Sequence, residues 1–366
     1  LYKPRDSREF VIQKMIEDID IAIDNLPAQK DVYKVTKWTA LALKSRFCLF
    51  EGTFRKYHGL EGWDDCLKES AAASLKFINE SGYGIYKSGT TPYQNLFTLA
   101  DSDRSEVILT RAYKQSISLV HDANGAFTST TSSRNGLAKD VVDMYLMSDG
   151  SRFTDKPRYD AMDFYDETQN RDPRLAQTLR APGYKRINGD AVLAPDLSCT
   201  CTGYHIAKWT MAADANGGDS DRADRSSNDT PVYRYAEVLL NYAEAKAELG
   251  DFDQTVADKT INLLRDRVGM ARMNVGSLTK DEYLVDPKTG YTNPILLADP
   301  NLVYILEVRR ERCIELAQEG DFRWEGLMRW KEGKCIEQDM HGIYFPGPGQ
   351  YDLDRNGTYD LWLYGA

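Results

Sequence analysis

The sharpest chemical pattern in the chain lies near its end. Asp352, Asp354, Asn356 and Asp360 put side-chain oxygens at nearly alternate positions, with Gly357 at the turn. That is the first half of a calcium loop, in which oxygen ligands surround a hard cation. The bidentate acid that such a loop carries further on is replaced here by Leu363. The same Asp, Asn and Gly residues also suit a plain polar hairpin turn, so calcium and an ordinary turn both stand. No other cofactor is expected.

Elsewhere the side chains of catalysis are scattered. Histidines stand at positions 58, 121, 205 and 341, and no two share a ligand spacing. Gly-x-Ser-x-Gly, phosphate-cradling and dinucleotide-binding motifs are absent. The six cysteines fit no zinc spacing, since Cys199 and Cys201 have one residue between them and the rest lie far apart. Cys48 and Cys313 read as apolar thiols on helix faces, and no disulfide pairing follows from the spacing. A glycosidase pair of carboxylates would converge in space rather than in sequence, so it would leave no motif. The expectation is a protein that is not an enzyme.

Aromatic residues are the stronger signal, with 22 tyrosines and 6 tryptophans. A sugar ring lays its apolar face on an aromatic ring while its hydroxyls take hydrogen bonds. Loop aromatics are therefore the ligand candidates: Tyr83, Tyr86, Tyr113, Phe127, Tyr159, Tyr165 and Trp209. Tyr93, Phe164 and Tyr204 stand beside them, and core packing is the competing reading for each one singly. Trp324, Trp330, Tyr235 and Tyr242 fall at helical spacing and read as core.

Helices must hold those loops. Val232 to Met270 reads as a helical hairpin. Tyr235, Leu239, Tyr242 and Leu249 form one apolar stripe, with Ala236, Leu240, Ala243 and Ala247 beside it. Glu237, Asn241, Glu244 and Glu248 take the remaining face and are expected to meet water. Gly250 supplies the left-handed helix end, and Asp251 is expected to cap the next helix. There Ala257, Ile261, Leu264 and Val268 turn back on the first. A similar corner, Glu319-Gly320-Asp321-Phe322, follows the helical run Leu302 to Gln318. A looser hairpin runs from Thr36 to Ile78, after an amphipathic helix, Phe10 to Leu26, that Pro27 stops. Its stripe is Phe10, Met15, Ile19, Ile23 and Leu26.

The fold class expected is mainly α, with tetratricopeptide-like hairpins packed among long irregular loops and a few short strands. One domain spans 1–366, with hairpins at about 9–80 and 231–332, a loop-rich, ligand-facing insertion at about 81–230 and an extended tail at 336–366. Val107 to Thr110 is a strand candidate, and Tyr351 to Tyr364 suits a terminal hairpin. The acidic run Asp214 to Asp229 is expected to be solvated. Arg309, Arg310 and Arg312 with Glu311 and Glu315 suit ion pairs that fasten hairpins together, and Arg171-Asp172-Pro173-Arg174 suits a turn with its own pair.

Several of these segments carry a family resemblance. Tyr233-Arg-Tyr-Ala-Glu-Val-Leu-Leu-Asn-Tyr-Ala-Glu-Ala resembles the signature helix of the SusD/RagB family. So do Ile261-Asn-Leu-Leu-Arg-Asp-Arg, Arg309-Arg-Glu-Arg with Glu315-Leu-Ala, and Phe322-Arg-Trp through Leu327-Met-Arg-Trp-Lys. Asp149-Gly150, Asn170-Arg-Asp-Pro-Arg-Leu175 and Pro182-Gly183 are similar to its middle segment, in order. The resemblance implies a glycan- or nutrient-binding lipoprotein of the Bacteroidetes outer membrane, exposed at the cell surface. It implies an oligosaccharide or other nutrient as ligand and a SusC-like TonB-dependent transporter as partner. Family members begin with a lipoprotein signal, an anchoring cysteine and a further helical segment. Leu1 therefore reads as a processed start, and membrane attachment as a lipid anchor outside this chain.

Composition narrows the alternatives. Charged residues make 28% and apolar ones 42%, an ordinary globular balance, and 366 residues bury a large core. A net charge of −10 repels phosphate backbones, so nucleic acid is not an expected partner. No apolar run is long enough to span a bilayer. A helical-repeat scaffold for other proteins, or an all-α carbohydrate-active enzyme, are the competing readings. A scaffold would show a more regular array than this one.

Overall fold

The computed structural model describes residues 4–365, and Leu1, the expected processed start, lies outside them. The chain is mainly helical. Helix α1 (Arg8–Asn25) leads to the hairpin of α2 (Lys37–His58) and α3 (Trp63–Glu80). Thr36 and Thr39 form a capping box at the start of α2, and Gly59, with φ +72°, ends it. A long irregular insertion follows, opened by strand β1 (Val107–Arg111) and closed by β2 (Thr230–Arg234). These two pair antiparallel with irregular register, Val107 opposite Arg234 and Arg111 opposite Thr230.

β2 runs straight into α4 (Tyr235–Leu249), the helix around which the others pack. Gly250, at φ +81°, closes it as expected. The next cap is Asp253 rather than Asp251. The Asp253 side chain accepts the Val256 amide at 2.8 Å, while Asp251 reaches back to Lys246. The return arm is two helices, α5 (Gln254–Lys259) and α6 (Ile261–Val268), broken at Thr260. α7 (Leu302–Glu315) and α8 (Phe322–Arg329) form the last helical pair. Strands β3 (Gly349–Tyr351) and β4 (Leu361–Leu363) make the terminal hairpin, with Gln350 opposite Trp362.

Helix α4 touches α2, α3 and α7, and all of its residues except Lys246 and Leu249 are buried. The polar stripe expected to be solvated is in fact buried: Glu237, Asn241, Glu244 and Glu248 all lie inside. The cause is a cation waiting for each carboxylate. Arg46 meets Glu237 at 2.6 Å, and Arg329 and Arg312 meet Glu244 at 2.8 and 3.2 Å. Lys56 meets Glu248 at 2.7 Å, and Asn241 donates to Ser45 at 3.0 Å. Buried charge is tolerated when paired and hydrogen-bonded. Arg309 is held differently, over the rings of Trp330, Tyr57 and Tyr291 at 4.3, 4.7 and 5.2 Å.

The main core joins Ile23, Trp38, Phe77, Leu240, Ile305 and Trp330 across the helices. A second core binds the insertion to the tail and to α7 through Tyr145, Phe164, Tyr204, Ile314, Ile343 and Leu353. Two expectations about core residues need correction. Trp324 is 55% exposed, because the short α8 buries its Gly326–Leu327 side instead. Phe10 and Met15 are also exposed, because the first half of α1 runs past its support while Ile19 and Ile23 pack inward. The Asp214 to Asp229 run is not simply solvated either. Asp229 is buried and accepts from Tyr33 Oη at 2.9 Å and from the Ser102 and Tyr113 amides at 3.0 and 3.1 Å. Cys48 is buried, and none of the six cysteines is in a disulfide.

Candidate functional site

A cleft of about 800 Å³ opens where three segments meet: 139–160, 281–289 and 341–345. The first comes from the insertion and is anchored by the short helix Lys139–Met144 and the turn Phe153–Asp155. The second follows α6, and the third leads into the terminal hairpin. Tyr159 and Tyr283 stand edge to face with ring centres 6.0 Å apart, and Phe153 backs Tyr159 at the same spacing. Tyr283 Oη donates to the Asp140 carbonyl at 3.2 Å, which fixes its ring across the gap. Tyr344 and Phe345 line the cleft from the tail. Half-buried rings at a cleft wall give apolar area of the kind a pyranose covers.

Charge fills the rest of the lining. Asp140, Asp143, Asp155, Asp160, Asp281 and Asp286 face or flank the cleft, with Lys139 and Arg152 as the basic side chains. Both cations are already engaged. Lys139 Nζ donates to Asp143 at 2.9 Å and to Glu167 at 2.7 Å, and Arg152 donates to the Lys280 carbonyl at 3.0 Å and pairs with Asp281. Arg310 also meets Asp281, from behind. The remaining carboxylates give the cleft a negative field. Burial pushes the Asp143 carboxyl up to about 7, although Lys139 pulls the other way. Asp140 is raised for the same first reason. Carboxylates accept hydrogen bonds and protonated ones donate, so this rim can hold sugar hydroxyls.

The expected ligand aromatics do not converge. Tyr159 alone of them lines this cleft. Trp209 lies on a separate groove of about 360 Å³ with Phe97, Arg46 and Phe322, where its Nε1 donates to the Gln318 carbonyl at 2.9 Å. Tyr165 lies under the Arg355 guanidinium at 4.3 Å, and Tyr113 leans on His121 at 4.4 Å. Tyr86 packs beside Tyr93 and Phe97. Tyr83 and Phe127 are corrections: both are buried, Tyr83 against Phe77 at 5.4 Å and Phe127 inside the second core. Tyr93, Phe164 and Tyr204 are buried too. Glycine-rich loop texture marked these residues, but the loops fold inward because their rings are the apolar area the insertion has to bury. Tyr283, Tyr344 and Phe345 went unmarked, although Asp281-Glu282-Tyr283 and Ile343-Tyr-Phe-Pro346 are legible as aromatic, non-helical stretches.

In the terminal hairpin, carboxylate oxygens of Asp352, Asp354 and Asp360 lie within 4.8 Å of one another. Among the described residues no helix is long and apolar enough to cross a membrane.

Comparison with known proteins places the fold. The model of the SusD family matches residues 105–365. Among solved structures, a SusD-like protein from Bacteroides fragilis is similar at 21% identity and TM-score 0.66, over 94% of this chain and 64% of that one. A SusD-like carbohydrate binding protein from the same organism is similar at 22% identity and TM-score 0.66, over 98% and 66%. A third, solved with xylogluco-oligosaccharide, is similar at 19% identity and TM-score 0.56, over 91% and 59%. The chain thus spans somewhat under two thirds of the length of these structures. No curated protein matches the sequence.

Proposed function

The chain belongs to the SusD family, and from that premise we propose that it binds an oligosaccharide at the cell surface and hands it to a SusC-like TonB-dependent transporter in the outer membrane, without turning it over. Membrane attachment in this reading is through a lipid anchor beyond these residues. One observation carries the ligand: the cleft of about 800 Å³ pairs the Tyr159 and Tyr283 rings with a rim of carboxylates. Its volume lies in the range of small-ligand sites, roughly 300–1,000 Å³. The description of one relative as carbohydrate binding, and of another as solved with xylogluco-oligosaccharide, supports the same class. The negative rim disfavours sulfated or uronate-rich chains, so the glycan is neutral.

The test is calorimetry against a panel of neutral and acidic glycans. Tyr159→Ala and Tyr283→Ala should each weaken the best neutral ligand about tenfold or more, the loss of a buried ring being about 1.5–3 kcal/mol. Unchanged affinity in both, with loss in Trp209→Ala, would move the site to the smaller groove. Asp143, with a carboxyl near 7 beside the cleft, has the protonation state of a general acid. New reducing ends on prolonged incubation, abolished by Asp143→Asn, would replace binding by hydrolysis. Copurification with a coexpressed SusC-like transporter tests the hand-over.

A further inference from the structure

In the terminal hairpin one buried carboxylate oxygen has no donor among the described residues. Asp354 is only 9% exposed, and its Oδ2 has no hydrogen-bond donor among the described residues. Its Oδ1 takes the Asn356 amide at 3.2 Å. Around it the neighbouring carboxylates are oriented by the turn. Asp352 accepts the Asn356 and Gly357 amides at 3.1 and 2.7 Å, and Asp360 Oδ2 accepts the Leu353 amide at 2.8 Å. A buried carboxylate oxygen without a donor costs free energy, and like charges beside it add to the cost. Something positive belongs there.

Among the described residues no cation is paired with that oxygen. Arg355 is the only basic residue between 352 and 360, and it points away. Its guanidinium meets Asp163 and Asp166 at 2.9 and 2.8 Å and lies over Tyr165. The carboxylate oxygens of Asp352, Asp354 and Asp360 are within 4.8 Å of one another. Ligands on one calcium ion, at about 2.3–2.6 Å each, stand at most about 5 Å apart. Opposite ligands of magnesium, at about 2.1 Å, stand about 4.2 Å apart in a stiffer octahedron. Asn356 Oδ1 accepts the Thr358 amide at 2.8 Å and keeps a second lone pair.

We propose that Asp352, Asp354 and Asp360, with Asn356 Oδ1 and water completing the shell, bind one calcium ion that locks the terminal hairpin to the insertion. Leu353, between the first two ligands, is buried in the second core. Arg355 clamps the same loop to Asp163 and Asp166, so the ion sets both contacts from one turn. Tyr351 packs on Phe345 at 4.7 Å, which links the site to the tail wall of the cleft. The ion is structural, and its position does not depend on what the cleft binds.

Calorimetry of the whole chain, stripped with a chelator and titrated with calcium chloride, reads the site directly. One equivalent should bind with a Kd on the order of 10⁻⁴ M or tighter, as in extracellular modules. Tm should rise with calcium in proportion to occupancy and fall on chelation. Asp354→Asn and Asp360→Asn should each weaken calcium about tenfold or more, since charged ligands set affinity in such loops. Asp360 is exposed, so its variant keeps the test alive where the buried one does not fold. Magnesium chloride at the same concentration should bind far more weakly. Absence of saturable heat at millimolar calcium, or equal binding in wild type and both variants, overturns the proposal and leaves a polar turn.

Discussion

Asp143 and Glu244 show how differently one carboxylate fares from another when both are buried. Asp143 shares the single ammonium of Lys139 with Glu167, and burial pushes its carboxyl up to about 7. In the unfolded chain it titrates near 4. Between about pH 4 and 7 the folded state therefore holds the extra proton, and this group's contribution to stability falls as pH rises through that window. Asp143→Asn copies the protonated form, so its Tm relative to wild type should climb from pH 4 to pH 8. Parallel Tm curves across that range would show that Asp143 does not titrate there. Glu244 is the opposite case. Burial pushes it up, but Arg329 and Arg312 hold it down at about 2. Its stabilisation is present above the ordinary carboxylate range and lost as pH falls toward 2. Glu244→Ala strands both guanidiniums in the core and should lose about 3–5 kcal/mol in urea unfolding. A loss below about 1 kcal/mol would mean that water reaches the pair.

Between helices, close approach is bought with glycine at one place in particular. Gly52 of α2 faces α3, where an added Cβ would stand 2.8 Å from Leu67 Cγ and 3.0 Å from the Trp63 carbonyl oxygen. Alanine gains about 1 kcal/mol of helix propensity over glycine, but overpacking costs about 1–3 kcal/mol, and a backbone oxygen cannot swing aside. Gly52→Ala should therefore lower Tm despite the better helix former. A stabilised variant would show that α2 and α3 can part without loss. The helices themselves were legible in the sequence because their signals are local. The helix stops at Pro27 and Gly250 and the apolar spacing all act within a turn or two. The strand at Val107 and the terminal hairpin follow from the same kind of evidence, whereas the apolar spacing reads part of the partner strand, Thr230–Arg234, as the start of the helix that follows it. What surrounds a helix is not local. The α4 polar stripe looked solvent-facing because its partner Arg46 is 191 residues from Glu237 in the chain, and Lys56 is 192 from Glu248. Trp324 failed in the other direction: its helical spacing reads as core, yet it sits on the exposed side of α8.

Across the whole molecule the same non-locality hid most of the cleft and built its support. Tyr159 was readable as an aromatic in an irregular loop, but the Tyr283 ring that meets it comes from a distant segment, bonding the carbonyl of Asp140, 143 residues away in the chain. Elsewhere one carboxylate joins distant parts of the chain. Glu315 accepts from Arg267 at 2.6 and 2.7 Å, from Arg234 at 2.8 Å and from Arg174 at 3.1 Å. Arg174 belongs to the insertion, Arg234 to β2 and Arg267 to α6, so four distant segments meet there. The net extends through Glu319 to Lys208 at 2.6 Å and through Glu106 to β1 at 2.9 Å from Arg234. Burial pushes Glu315 up, yet three guanidiniums hold it well below the ordinary carboxylate range. Glu315→Gln keeps the shape and removes the charge, leaving those cations with too few acceptors. It should cost about 3–5 kcal/mol. The loss should also be uneven, because the insertion has little secondary structure of its own to fall back on. Hydrogen exchange by mass spectrometry would show it: peptides from 105–230 should lose protection well before those from 235–329 in the variant, and together with them in wild type. Uniform loss of protection in the variant would mean that apolar packing, through Ile314, Phe164 and Tyr204, couples the two layers without the charge.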